Sequence, residues 1–172
     1  MLKFIGALLV IISFGMIGTV LGRNMTKHAD ELRQLQFGLS ALETEIMYAL
    51  TPLPQALMIV SKQTRGVVGR FFAEVSYELN NRQGQTAGEA WSKALEKISP
   101  YLMLTEGELC SLEQFGQGLG SSDREDQLKR LTSIKMQLAA REKTVETEKG
   151  QFQKIWQTLG WASGLVVTLL FI

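Results

Sequence analysis

The stretch from Leu32 to Pro54 reads LRQLQFGLSALETEIMYALTPLP, and it decides the fold. Its apolar residues recur at alternating steps of three and four, which places them on one stripe of an α-helix. That stripe consists of Leu32, Leu35, Leu39, Leu42, Ile46 and Ala49/Leu50. The helix is predicted to stop at Thr51-Pro52-Leu53-Pro54, because proline removes a backbone donor and pushes the preceding residue out of the helical region.

Further helices follow from the same kind of pattern. A short helix is expected from Pro54 to about Gln63 and a longer one over Val67–Leu79. Three later helix starts carry reciprocal capping pairs: Thr86 with Glu89, Thr105 with Glu108, and Ser122 with Glu125. The second of these helices is expected to bury Leu109, Leu112, Phe115 and Leu119. The third meets no proline before the C-terminus. The sequence therefore predicts an all-α bundle whose first and last helices are long and antiparallel.

Both ends of the chain are apolar runs, while most charged residues lie between them. No residue from Phe4 to Gly22 ionises, and this run approaches the ~20 residues that cross a bilayer. Residues 155–172 are also free of charge, and Trp156 and Trp161 near their start suit a headgroup interface. We predict transmembrane helices at 4–22 and 155–172 around a helical bundle domain at 23–154. A cleaved secretory signal at the N-terminus and a C-terminal helix buried in a soluble core remain the alternatives.

Basic residues flank the inner ends of both runs and set the predicted orientation. They are Arg23, Lys27 and Arg33 after the first run and Arg141, Lys143, Lys149 and Lys154 before the second. Because positive charge resists translocation, the central domain is predicted to be cytoplasmic. Each run also holds two glycines at a spacing that lets helices approach closely in lipid. These packing candidates, within one chain or between two copies, are Gly18, Gly22, Gly160 and Gly164.

The residues that carry chemistry are scarce. With 18 basic and 17 acidic residues interspersed, the chain lacks the basic surface that nucleic acid requires. His28 is the single histidine and Cys110 the single cysteine, so no catalytic triad and no metal-ligating cluster can be assembled. Cys110 lies in an apolar helical pattern and is expected to be buried. The glycine-rich segment 116–121 follows a helix rather than a strand, which favours a helix C-terminus over a phosphate-binding loop. We therefore predict a non-enzymatic protein without a cofactor or metal.

Two stretches resemble the stage III sporulation protein AB family: residues 32–46 with their continuation Tyr48–Leu53, and residues 112–127. The chain length, the opening Met-Leu-Lys before an apolar run and the apolar C-terminus also agree. The resemblance implies a component of the sporulation channel complex, in the mother-cell membrane that faces the forespore. It also implies a helical domain similar to the cytoplasmic domains of type II secretion F proteins, which are platforms without an active site.

The implied partners, besides membrane lipid, are a cytoplasmic secretion-type ATPase and other membrane subunits of the channel. Candidate contact residues in the first stretch are Glu43, Glu45, Tyr48, Thr51, Pro52 and Leu53. Candidates in the second stretch are Leu119, Gly120, Ser122 and Asp123. The alternative function is a membrane-tethered regulatory or adaptor module that binds a cytoplasmic signalling partner. A homo-oligomer is compatible with either function.

Overall fold

A computed structural model describes the backbone of residues 2–81, 84–120 and 124–170, and the side chains of residues 24–81, 84–120, 126–151 and 155. Every regular element in this part of the chain is a helix, so the all-α prediction is confirmed. The α-helices are α1 (Leu2–Met47), α2 (Leu53–Gln63), α3 (Gly66–Asn81), α4 (Ala87–Ile98), α5 (Glu106–Gln117) and α6 (Arg124–Leu170). A short 3₁₀ helix, Ser99–Tyr101, lies between α4 and α5.

The chain divides into two compact units. One is Asp30–Glu142, and the other comprises Met1–Ala29 and Lys143–Ile172. None of the helices, over the residues that the structure describes, is long and apolar enough to cross a membrane. Apart from Ile155, the predicted spans at 4–22 and 155–172 lie outside the residues whose side chains are described. The same holds for the glycines predicted to pack in those spans, Gly18, Gly22, Gly160 and Gly164.

Helices α1 and α6 run antiparallel within the unit Asp30–Glu142. Near one end of this unit, Arg33 Nε lies 2.7 Å from Glu142 Oε1. Further along α1, Glu43 forms an ion pair with Lys135, which lies earlier on α6. Residue numbers therefore rise on one helix as they fall on the other, and the predicted antiparallel arrangement is confirmed.

Helices α2 to α5 pack as successive neighbours, α2 on α3, α3 on α4 and α4 on α5. Two of the predicted capping pairs begin α4 and α5. The hydroxyls of Thr86 and Thr105 accept from the amides of Glu89 and Glu108, and each glutamate accepts from the amide of its threonine. These bonds satisfy amides that a helix start leaves without partners. The third predicted cap, Ser122, lies outside the described residues.

An aromatic cluster around Trp91 forms the centre of the core. The Trp91 side chain is fully buried, and its Nε1 donates to Leu112 O at 2.9 Å. Its ring centroid lies 4.8 Å from that of Phe71 and 5.2 Å from that of Phe115. A Cβ added at Gly116 would lie only 2.0 Å from Trp91 Cδ1. Glycine at this position therefore lets α5 approach the indole more closely than any residue with a side chain would.

Two predictions for α5 are wrong. Cys110 is exposed rather than buried, and Leu109 is only half-buried. The residue that turns inward is Glu108, which is 3% exposed and accepts from Thr105 N at 2.7 Å. The capping bond draws Glu108 to the inner face of α5, where Leu112 also lies. The buried positions of this helix therefore begin at 108, one residue earlier than the sequence pattern predicts. Leu109 and Cys110 consequently lie on the side of α5 that looks outward.

Candidate functional site

The first candidate stretch lies where α1 ends and α2 begins. Helix α1 ends at Met47, before the stop at Thr51-Pro52-Leu53-Pro54 that the prolines predict. The Thr51 amide bonds back to Glu45 O at 3.0 Å, so the chain reverses direction over the last turn of the helix. Ala49 and Leu50, which the periodicity placed on the buried stripe, are therefore exposed.

Leu50 occupies an unfavourable backbone conformation. Its φ is 54°, and among the described residues it alone has a positive φ without being glycine. Residues with a Cβ avoid this left-handed region at a cost of ~1–2 kcal/mol, and glycine or asparagine usually occupies it at helix ends. The Leu50 side chain is 60% exposed, so little burial compensates the strain. Because strain of this kind concentrates at functional sites, Leu50 marks the turn as a candidate site.

We call the exposed turn Tyr48–Leu50 the α1–α2 tip. Tyr48 is 83% exposed, the highest value among the large hydrophobic side chains that the structure describes. Tyrosine is enriched among the residues that dominate protein–protein binding, because it buries a large rigid ring and keeps a polar end. The tip thus presents an aromatic and an aliphatic side chain to solvent on one short turn.

The polar candidates around the tip hold it in place. Thr51 Oγ1 donates to Glu45 Oε2 at 2.8 Å, and Lys135 donates to Glu43. Pro52 precedes α2 at its N-cap, and the half-buried Leu53 is the first residue of that helix. In this structure Glu43 bonds to α6, and Glu45 and Thr51 bond to each other, whereas the side chains of Tyr48 and Leu50 are exposed. Nothing in the sequence singles out Leu50, because no local pattern predicts a positive φ for leucine.

The second candidate stretch meets the first at the same end of the unit. A shallow depression there is lined by Ile46, Phe115, Gly118, Leu119, Gln127, Arg130 and Leu131. Leu119 itself is only 8% exposed, so its side chain packs against this end of the bundle. Gly120 is exposed and has a φ of 76°, as expected where α5 has ended and the chain turns. This confirms the helix C-terminus predicted for the glycine-rich segment. Ser122 and Asp123 lie outside the described residues.

Exposed apolar side chains, rather than a cluster of titratable groups, mark the tip in the described structure. In the part of the chain that the structure describes, no group of three or more His, Cys, Asp or Glu side chains could hold a metal ion. The Thr51 hydroxyl next to the tip donates to the Glu45 carboxylate. The fold and the tip together define a helical bundle with an aromatic and an aliphatic side chain exposed at one end.

Comparison with known proteins places the bundle in a family. The family model for Stage III sporulation protein AB matches residues 3–172. Stage III sporulation protein AB of Bacillus subtilis (strain 168) is 33% identical over 170 residues, which cover 99% of each chain. A solved structure of Stage III sporulation protein AB (SpoIIIAB) aligns with a TM-score of 0.69 and 34% identity, covering 73% of this chain and 98% of its own. The chain belongs to the stage III sporulation protein AB family, which confirms the resemblance seen in the sequence.

Proposed function

We propose that this protein is a non-enzymatic platform in a sporulation channel complex, where its α1–α2 tip contacts a secretion-type ATPase. The family membership supports a role in sporulation. The platform role rests on the resemblance of the helical domain to type II secretion F proteins. In this proposal residues 4–22 and 155–172 span the mother-cell membrane that faces the forespore. The domain 23–154 is then cytoplasmic, and other channel subunits contact the spans.

The observation that carries this proposal is an exposed pair of apolar side chains on a turn that hydrogen bonds within the chain hold in place. Hydrogen bonds between Thr51 and Glu45 shape the turn that displays Tyr48 and Leu50. A partner that binds a turn whose conformation is already fixed loses less conformational entropy on binding. That loss is ~0.5–1.5 kcal/mol for each side chain that binding immobilises. The tip also follows the end of α1, the helix that begins at Leu2 and includes the N-terminal apolar run. Contact at the tip would therefore act on the same helix that is predicted to anchor the protein.

Co-purification of the ATPase with the full chain from detergent tests the proposal. Tyr48→Ala should weaken ATPase binding at least tenfold, because truncating a central interface tyrosine typically costs ~2 kcal/mol or more. Tyr101→Ala is the matched control, since Tyr101 is 61% exposed and lies at the other end of the unit. The Met103 amide, two residues after Tyr101, donates to Glu31 Oε2 at 2.6 Å. Because Glu31 lies at the start of the unit, Tyr101 lies at the end opposite the tip.

Two outcomes would overturn the proposal. Undiminished ATPase binding by Tyr48→Ala, with unchanged helicity, would dismiss the tip as the contact. Failure of the wild-type chain to co-purify with the ATPase or with any other membrane subunit would dismiss the platform and favour the adaptor function. Charge reversal at Glu43 or Glu45 is a weaker probe, because each carboxylate already accepts a hydrogen bond within the chain.

The membrane part of the proposal has a separate test. In a Cys110→Ser background, single cysteines are introduced at either terminus or at Gln83, and sealed cells are treated with an impermeant maleimide. Cysteines at the termini should be labelled from outside, whereas Gln83→Cys should be labelled only after the membrane is opened. Labelling of Gln83→Cys in sealed cells would refute the cytoplasmic placement of the domain.

A further inference from the structure

Two large apolar side chains are exposed on the long helices α1 and α6. Phe37 of α1 is 52% exposed, and Met136 of α6 is 68% exposed. Each of them directly follows a side chain that bonds across to the other helix. These preceding side chains are Gln36, which donates to Glu142 Oε2 at 2.7 Å, and Lys135, which donates to Glu43.

Phe37 and Met136 lie on the same side of the helix pair, away from the core. Leu35 and Ile134, which directly precede the two bonding side chains, are buried. Each residue turns an α-helix by ~100°, so the step after a bonding side chain turns outward where the step before it turns inward. Because the two helices are antiparallel, the outward step leads to the same side of the pair on both.

Small, uncharged residues lie beside these two side chains. They follow three and four residues later on each helix, which are the spacings that place side chains on one face. They are Ser40 and Ala41 after Phe37, and Ala139 and Ala140 after Met136. Ala41 is half-buried and the other three are exposed. We call these six residues the outer face, which combines two large side chains with two shallow hollows and carries no charge.

The large side chains and the hollows lie at matching levels along the helices. The two bonds across the pair fix the register of α1 against α6. In that register Phe37 lies within one residue of the level of Ala140, and Met136 lies within one residue of the level of Ala41. A two-fold axis that runs along the helices keeps every level unchanged, and it places α6 of one copy opposite α1 of the other. Each large side chain then meets a hollow at its own level.

We infer that the outer face binds the outer face of a second copy about this two-fold axis. Phe37 of one copy packs beside Ala140 of the other, and Met136 packs beside Ala41, as knobs pack into holes between paired helices. An uncharged face cannot select a partner by charge, whereas its shape is complementary to itself.

The contact is isologous, so it closes with two copies. It also repeats between copies the antiparallel pairing that α1 and α6 make within one copy. Because the axis runs along the helices, the Glu142 ends of both units point the same way, as copies anchored in one membrane require. The inference goes beyond the proposed function and requires no ATPase.

Disulfide cross-linking between two differently tagged copies tests the inference. Both copies are full-length, are co-expressed in membranes and carry Cys110→Ser. One copy has Phe37→Cys and the other Ala140→Cys, so three of the four large side chains of the contact are retained. Mild oxidation should give a covalent dimer that carries both tags. Tyr77→Cys with Ala140→Cys is the control for random collision, since Tyr77 is 57% exposed on α3.

Each contrary outcome has a definite meaning. Absence of the mixed dimer, although both thiols react with a monofunctional maleimide, would overturn the inference. A mixed dimer formed equally well with Tyr77→Cys would mean random collision. An equal yield of dimers from the Ala140→Cys copy alone would refute the two-fold register, which keeps equal positions apart. Linkage of either thiol to a different protein alone would show that the occupant is not a second copy.

A charge exchange between the copies tests the other half of the contact. Met136→Glu in the Phe37→Cys copy should lower the yield of the mixed dimer about tenfold, because it buries a charge without a partner. Ala41→Lys in the Ala140→Cys copy should restore the yield, since the lysine then meets the glutamate. Met58→Glu is the matched control, because Met58 is 39% exposed on α2, and it should leave the yield unchanged. An undiminished yield with Met136→Glu, or a loss that a helical Ala41→Lys copy fails to reverse, would refute the contact.

Discussion

Replacing Gly116 by alanine adds one methyl group beside the indole at the centre of the core. The new Cβ would lie 2.0 Å from Trp91 Cδ1 and 2.3 Å from Trp91 Cγ. Carbon atoms in contact normally lie ~3.5–4.0 Å apart, so one side has to move. The indole is held by its hydrogen bond to Leu112 O and by ring contacts with Phe71 and Phe115. It can therefore move only if the cluster around it is disturbed.

The expected loss of stability follows from these contacts. Overpacking a core costs ~1–3 kcal/mol, and the loss of the indole hydrogen bond adds ~0.5–1.5 kcal/mol. Weakened aromatic pairs contribute a further ~0.5–1.5 kcal/mol. The higher helix propensity of alanine opposes these terms by ~1 kcal/mol. We expect Gly116→Ala to lower the free energy of unfolding by about 3 kcal/mol, a large part of the ~5–15 kcal/mol that stabilises a typical domain.

Urea unfolding of the full chain in detergent, followed by circular dichroism, measures this change. Gly107→Ala in the same helix is the matched control, since its Cβ would meet only Arg141 Nη2 at 4.0 Å. That control should leave the free energy of unfolding unchanged or raise it by up to about 1 kcal/mol, because only the higher helix propensity of alanine acts there. In a double-mutant cycle, Trp91→Ala removes the clashing ring, so adding Gly116→Ala should cost nothing more. Additive losses, or a Gly116→Ala chain as stable as the wild type, would refute the reasoning.

The other predictions concern the tip and one surface ion pair. Leu50→Gly should raise the free energy of unfolding by about 0.5 kcal/mol, because the relieved strain of ~1–2 kcal/mol exceeds the ~0.5–1 kcal/mol of added chain entropy. Ala49→Gly in the same urea assay should lower the free energy of unfolding. An increase of this free energy in both variants would contradict the strain at Leu50. The hydrogen bond to Glu74, with the charge of that carboxylate, raises the pKa of Lys97 above 10.5. A raised lysine pKa stabilises the fold below pH 10.5, and this contribution is lost as the pH rises through the raised pKa. The wild type should therefore exceed Lys97→Met in stability at neutral pH but not above that pKa, and a difference independent of pH would count against the pair.

Part of the candidate site was predictable from the sequence. The prolines at 52 and 54 indicated a break after α1, and the resemblance drew attention to Tyr48. The structure adds that Tyr48 is exposed and that Leu50 beside it is strained. It also shows Glu45 bonded to Thr51 rather than directed to solvent alone. These details depend on how the chain folds back on its own helix end, which residue spacing does not specify.

Interactions between residues close in the chain determined the helices. The three-and-four spacing that begins at Leu32, and the capping pairs at Thr86 and Thr105, act within one or two helical turns, so the sequence contains the information for them. Tertiary packing alone decided which residues of different helices meet and which side chains stay exposed. It put Gly116 against Trp91, brought Ile46 and Leu119 to one end of the unit, and turned Cys110 toward an open cleft. Each of these outcomes joins residues from different helices, and the free energy that selects them comes from burial and close packing between elements.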